Sequence, residues 1–220
     1  ILAGGRGTRL GPLTDVRPKP MIEIHGKPFL EYLVEMLRGQ GFERVLLLLG
    51  YLPEVVKDHF GDGRKWGIQI EYSVTAVEND TGRRIKLAAQ QIDECFLLTY
   101  CDNYWPMQID RMWERFIQAN VPAMITIYRN TDGYTTNSVK VDAEGYVAVY
   151  DKSRTNPNLQ GVEISYAILK KSVLDFLPED NVLFETSVYP PLAANHQLAA
   201  YVTDHRYYSV GSTARLPLTL

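Results

Sequence analysis

The chain has 220 residues, 45% of them hydrophobic, and a formal net charge of −3. That length can bury a substantial core in one domain or two small ones, the missing basic excess argues against a nucleic-acid partner, and no apolar run nears the roughly 18 residues of a membrane span. No signal peptide is visible, and Cys95 and Cys101 are spaced for neither a zinc ribbon nor a redox pair, so free thiols in a cytoplasmic protein are expected.

Residues 1–3 read as the end of a strand, with a few residues expected ahead of them, and residues 4–18 as a loop. Residues 21–24 form a short extended piece. Pro28 suits the first position of a helix over 28–38. There Leu30, Leu33, Val34 and Leu37 make a one-sided apolar stripe, and Gly39 and Gly41 end it. A buried strand follows at 44–49, a helix at 53–60 and a strand at 68–73. After a polar loop come a helix from about 82 to 92, a buried strand at 95–100 and a helix at 109–119. This alternation predicts an α/β fold with a largely parallel sheet.

The second half is richer in strands, at 123–128, 138–141, 146–150 and 162–169. A short helix is expected at 172–177, and another that Pro190-Pro191 starts. Strands at 198–202 and 207–210 close the chain. Residues 217–220 carry no cap or polar tail and read as a cut from a longer chain. The expected organisation is one domain, with a nucleotide half (1–120) and an acceptor half (121–220).

The run Leu2-Ala3-Gly4-Gly5-Arg6-Gly7-Thr8-Arg9 carries the chemistry. A strand followed by closely spaced glycines can present backbone N–H groups to phosphate oxygens. Arg6 and Arg9 add fork-shaped donors. A Walker A loop is excluded, because no Gly-Lys-Ser/Thr follows. A dinucleotide fingerprint would need a third glycine where Leu10 stands. The loop continues into Arg17-Pro18-Lys19-Pro20, where two prolines restrict the backbone around a lysine.

These residues resemble the sugar-1-phosphate nucleotidyltransferase family, closest to the hexose- and heptose-1-phosphate cytidylyl- or guanylyltransferases. The family signature reads L-A-G-G-x-G-T-R-L, then P-K-P. The resemblance implies a Rossmann-like domain, nucleotidyltransferase type A-like, with a central mixed, mostly parallel sheet flanked by helices. It implies transfer from an NTP to a sugar 1-phosphate by in-line attack with Mg²⁺, giving an NDP-sugar and pyrophosphate. The nucleophile is already an anion, so catalysis reduces to positioning two polyanions and neutralising their charge.

Carried over residue by residue, Leu2, Ala3, Gly4, Gly5, Gly7 and Thr8 match the nucleotide loop. Arg9 matches the arginine on pyrophosphate, and Lys19 the lysine on the α-phosphate and sugar phosphate. Asp102, just past the 95–100 strand, matches the magnesium aspartate. Thr81 and Gly82 match what survives of a loop bordering the base, in a Thr81-Gly82-Arg83-Arg84-Ile85-Lys86 run like that of cytidylyltransferases. Lys152 matches the lysine of E-K-P on the sugar's phosphate, with Asp151 and Ser153 replacing its neighbours. Glu163 stands where the family has the Asn of N-x-G, and Glu185 where it often has an acidic sugar ligand. Ser209 replaces the second metal aspartate. That loss motivates an alternative, a catalytically weak or inactive regulatory module that binds nucleotide sugar. Expected partners are an NTP and a sugar 1-phosphate, with no nucleic acid and no membrane. A homo-oligomer, or a fused or partner sugar-phosphate enzyme, stays open. A dinucleotide-dependent oxidoreductase lacks the third glycine and a hydride-site constellation.

Overall fold

A computed structural model describes residues 1–219 and shows two compact units. Unit 1 comprises Ile1–Asn79, Thr99–Pro106 and the stretch from Tyr207 onward; unit 2 comprises Asp80–Leu98 and Met107–Arg206.

Unit 1 is built on a parallel sheet of β1 (Leu2–Ala3), β4 (Arg44–Leu49) and β5 (Gln69–Val74), in the order β1-β4-β5. Leu47, Leu48 and Leu49 of β4 are buried, as a strand covered on both faces requires. A short hairpin of β2 (Glu23–Ile24) and β3 (Lys27–Pro28) turns at His25 and Gly26, both at positive φ. Helix α1 (Phe29–Gly39) buries Leu30, Leu33, Val34 and Leu37, the predicted stripe, and α2 (Pro53–Phe60) follows β4. Two departures have local causes. Pro28 is extended (ψ 137°) and belongs to β3, because the hairpin claims it; the Phe29 amide donates to Ile22 O at 2.8 Å. The 4–18 loop contains 3-10 turns over Thr8–Thr14, broken at Gly11 and entered through Gly7 at φ 70°.

The chain re-enters unit 1 at residues 99–106. Tyr100 bridges Leu2 in parallel, and the Cys101 amide donates to Leu2 O at 3.1 Å.

In unit 2, α3 (Thr81–Leu87) precedes β6 (Cys95–Thr99), and α4 (Ile109–Ala119) precedes β8 (Ala123–Tyr128), all six of whose residues are buried. Back in unit 1, β7 (Asn103–Tyr104) pairs antiparallel with β13 (Tyr208–Ser209). The unit 2 sheet runs β12-β8-β11-β6: β12 (Leu198–Thr203) is parallel to β8, and β11 (Val162–Lys170) antiparallel to it. Strands β9 (Val139–Val141) and β10 (Val147–Tyr150) pair antiparallel as a hairpin, joined by a turn in which the Gly145 amide donates to Asp142 O at 3.2 Å. Helix α4 packs on β11 and β12. The last helix, α5 (Phe184–Ala194), starts six residues before Pro190 and holds both prolines inside. A proline there removes a helical hydrogen bond and costs ~3 kcal/mol. Complete burial of Phe184, Val188 and Leu192, at up to about 3 kcal/mol each, offsets it. The α/β class with a mostly parallel sheet and flanking helices is as the sequence predicts. Cys95 and Cys101 are free thiols.

Candidate functional site

Unit 1 assembles the phosphate-type residues. The glycine loop leaves the C-terminal end of β1, where ligands bind in open α/β sheets. Gly4 is buried, whereas Gly5, Thr8 and Arg9 are exposed. A Cβ on Gly7 would lie 3.1 Å from Lys19 Cβ, so the loop packs directly on Lys19. Lys19 Nζ forms an ion pair with Asp102 Oδ2, their side chains 12% and 18% exposed. Asp102 is brought there by the Tyr100–Leu2 bridge and by its own carbonyl, which accepts from the Val210 amide at 3.0 Å. Arg9 makes no ion pair or hydrogen bond among the described residues, so its guanidinium is open to a ligand. Arg6 sits over the Tyr51 ring, 5.2 Å from its centroid.

The structure adds Gly211, which the motif reading passed over. A Cβ there would lie 3.1 Å from Ser209 Oγ, 3.4 Å from Asp102 Oδ2 and 4.0 Å from Lys19 Nζ. Glycine keeps the space beside the ion pair open. The Gly211 amide donates to Ser209 Oγ at 3.1 Å, so the serine hydroxyl is engaged with backbone.

Unit 2 assembles the other predicted residues. Thr81 and Gly82 form the first turn of α3. The Thr81 hydroxyl donates to Glu185 Oε2 at 3.2 Å and accepts from the Phe184 amide at 2.8 Å. The Gly82 amide donates to Val182 O at 2.9 Å, and a Cβ on Gly82 would come within 2.7 Å of that oxygen. Glycine is thus required by close packing. Lys152 Nζ forms an ion pair with Glu185 Oε1; the lysine side chain is 43% exposed and the glutamate 5%. Asp151 accepts from the amides of Ser153, Arg154, Thr155 and Asn156; the Ser153 hydroxyl, then the Asn156 and Thr155 donors, hold its carboxyl well below the usual range. It shapes the turn that presents Lys152.

Glu163, at the start of β11, accepts from the Ser165 amide. Ser165 takes φ 69° at the position of the motif's glycine, a conformation unfavourable for a residue with a Cβ. Burial, then the nearby Glu185 charge, push the Glu163 carboxyl up to about 7. Burial and the two carboxylates raise the Tyr150 and Tyr189 hydroxyls likewise. Their rings meet edge-on at 5.1 Å.

Known proteins are similar to this chain in sequence and architecture. The mannose-1-phosphate guanylyltransferase of Mycobacterium tuberculosis is 28% identical, over 91% of this chain and 56% of its own length. The chain thus spans little more than half of that relative. The probable glucose-1-phosphate cytidylyltransferase of Bacillus subtilis is 28% identical over 91% of this chain and 86% of its own. The crystal structure of HddC from Yersinia pseudotuberculosis superimposes with a TM-score of 0.82 at 25% identity, covering 100% of this chain and 96% of that one. HddC also has a structure complexed with GMP-PN. No helix among the described residues is long and apolar enough to cross a membrane. The nucleotidyl transferase family profile matches residues 1–210, and the chain belongs to that family.

Proposed function

We propose that the protein transfers a nucleotidyl group from an NTP to a sugar 1-phosphate, giving an NDP-sugar and pyrophosphate. The observation that supports this most is the meeting, within unit 1, of the glycine loop, Lys19, Asp102 and the space kept open by Gly211. Backbone amides of the loop and the unpaired Arg9 guanidinium bind the triphosphate. Lys19 neutralises charge where the phosphates react. In unit 2, Lys152, Glu185 and Glu163 hold the sugar phosphate and its hydroxyls. Positioning and charge neutralisation suffice, because the attacking phosphate oxygen needs no base. The run from Thr81 to Lys86 favours CTP or GTP as donor, and relatives are named for guanylyl and cytidylyl transfer as well as for uridylyl transfer.

The residues fit Mg²⁺ as an ion shared with the nucleotide. Asp102 offers a carboxylate whose Oδ1 accepts no hydrogen bond among the described residues, and magnesium is commonly held by one or two carboxylates plus substrate phosphates. Bound there, the ion would neutralise phosphate charge and align the two reactants.

The test is pyrophosphate release from CTP, GTP, UTP and dTTP, each with a panel of sugar 1-phosphates at millimolar Mg²⁺. Release with at least one pair is expected, and its loss in Lys19→Ala and Asp102→Ala with the fold retained. Silence with every pair would sink the reading.

A further inference from the structure

The acceptor cluster of unit 2 has an imbalance that hydroxyl recognition does not explain. Two carboxylates, Glu163 and Glu185, share it with one ammonium. That ammonium, Lys152 Nζ, is taken by Glu185 Oε1, while Thr81 donates to Glu185 Oε2. Both oxygens of Glu185 are therefore engaged. Glu163 has only the Ser165 amide on Oε1. Its Oε2 meets no donor among the described residues. Arg154, the other cation of the neighbourhood, is exposed, and its guanidinium donates to Thr135 Oγ1 at 3.3 Å. Glu163 stands where the motif has a neutral asparagine, so a second carboxylate was placed beside Glu185 while Lys152 makes its ion pair with Glu185 and no cation makes an ion pair with Glu163 among the described residues.

An unpaired, half-buried carboxylate is costly unless a ligand supplies the partner. A sugar hydroxyl would complete the hydrogen bond but leave the charge. An ammonium supplies both, in a charge-assisted bond about twice as strong as a neutral one. Resting on the reading above, that this cluster holds the sugar, we infer that the acceptor carries a free amino group on its ring, bound by Glu163 Oε2. Glu163 is then a specificity-determining residue, selecting amino-sugar 1-phosphates over neutral hexose 1-phosphates. The raised carboxyl of Glu163 agrees with this geometry: burial and the Glu185 charge outweigh the more distant attraction of Lys152 and Arg154.

The experiment measures kcat/KM at about pH 7.5 for sets of sugar 1-phosphates differing at one ring position, free amine, hydroxyl or N-acetyl, at positions 2, 3, 4 and 6. Calorimetric binding of the same compounds gives a readout independent of turnover. One amino sugar is expected to exceed its hydroxyl and N-acetyl counterparts by about tenfold in both. In Glu163→Gln the ratio should fall to about one, and in Glu163→Asp, which keeps the charge, it should remain above one. Equal or better use of the neutral sugars by the native protein would overturn the inference. So would a preference that survives Glu163→Gln. If the neutral sugars turn over, the proposed reaction stands and only this inference fails. If no acceptor turns over with any NTP, the reaction itself fails, and the calorimetry still decides the amine preference.

Discussion

Glu163→Gln should stabilise the protein, and more so as pH rises. The carboxyl titrates at about 7 in the folded protein against an ordinary 4.5. The folded state therefore favours the protonated acid. Its contribution is fully favourable below about pH 4.5 and is lost as pH rises to about 7, because the unfolded chain ionises first. A gap of about 2.5 units at 1.36 kcal/mol each is about 3 kcal/mol, taken as an upper limit because the group is half-buried rather than sealed. Glutamine keeps the acceptor for the Ser165 amide and removes the titration. Urea unfolding of both proteins at pH 5 and pH 8 measures it. The variant should gain under about 1 kcal/mol at pH 5 and up to about 3 kcal/mol at pH 8. A difference independent of pH, or one that shrinks towards pH 8, would refute the reasoning.

Gly5→Ala should fold with native stability, because a Cβ there meets nothing within 4 Å, yet bind NTP at least tenfold more weakly by calorimetry, since the methyl enters phosphate space. Gly82→Ala should do the opposite, losing about 1–3 kcal/mol in urea unfolding through the clash with Val182 O. Arg9→Ala should lower kcat/KM for the NTP by about 10²-fold with unchanged stability, since it removes an exposed cation that makes no hydrogen bond or ion pair among the described residues. Ser209→Asp should create nucleotide-independent Mn²⁺ binding, seen by electron paramagnetic resonance, which the native protein lacks without NTP; tight binding of Mn²⁺ by the nucleotide-free native protein would contradict the single-carboxylate site.

What the sequence made legible was local. The loop over residues 2–9, the stripe on α1 and the bounds of β4, α2, α4 and β8 follow from glycine chemistry and periodicity within a dozen residues. The pairing of Lys19 with Asp102 is a contact across 83 residues, suggested by resemblance and given geometry only by the Tyr100–Leu2 bridge. Pro190-Pro191 misled for a physical reason: proline marks a helix start when only local energies count, whereas in α5 the burial of Phe184 and Val188 overrides it. Gly211 lies in the same motif stretch as Ser209, but its role was not legible there; its value lies in what a methyl would strike. Glu163 was visible as a substitution, but the lack of a direct ion-pair partner among the described residues was not, because that depends on Glu185 taking Lys152.

Both lysines assigned to phosphate are already paired with a carboxylate, Lys19 with Asp102 and Lys152 with Glu185. On the proposed reading, an arriving phosphate would therefore meet a paired cation rather than a free one. Breaking a pair leaves its carboxylate uncompensated, which in a half-buried setting costs several kcal/mol. The two cases resolve differently. Glu185 keeps the Thr81 hydroxyl and is almost fully buried, so it can restrain Lys152 while the lysine donates its remaining protons to phosphate. Asp102 has no second donor among the described residues. If Lys19 turns to phosphate, Asp102 needs another cation at that moment. On the proposed reading, an ion carried by the triphosphate would meet that need, whereas a resident ion would compete with Lys19 in the free protein. A serine at 209, where the family resemblance expects a second acid, would fit that order, because one carboxylate can suffice when phosphates supply the rest of the coordination.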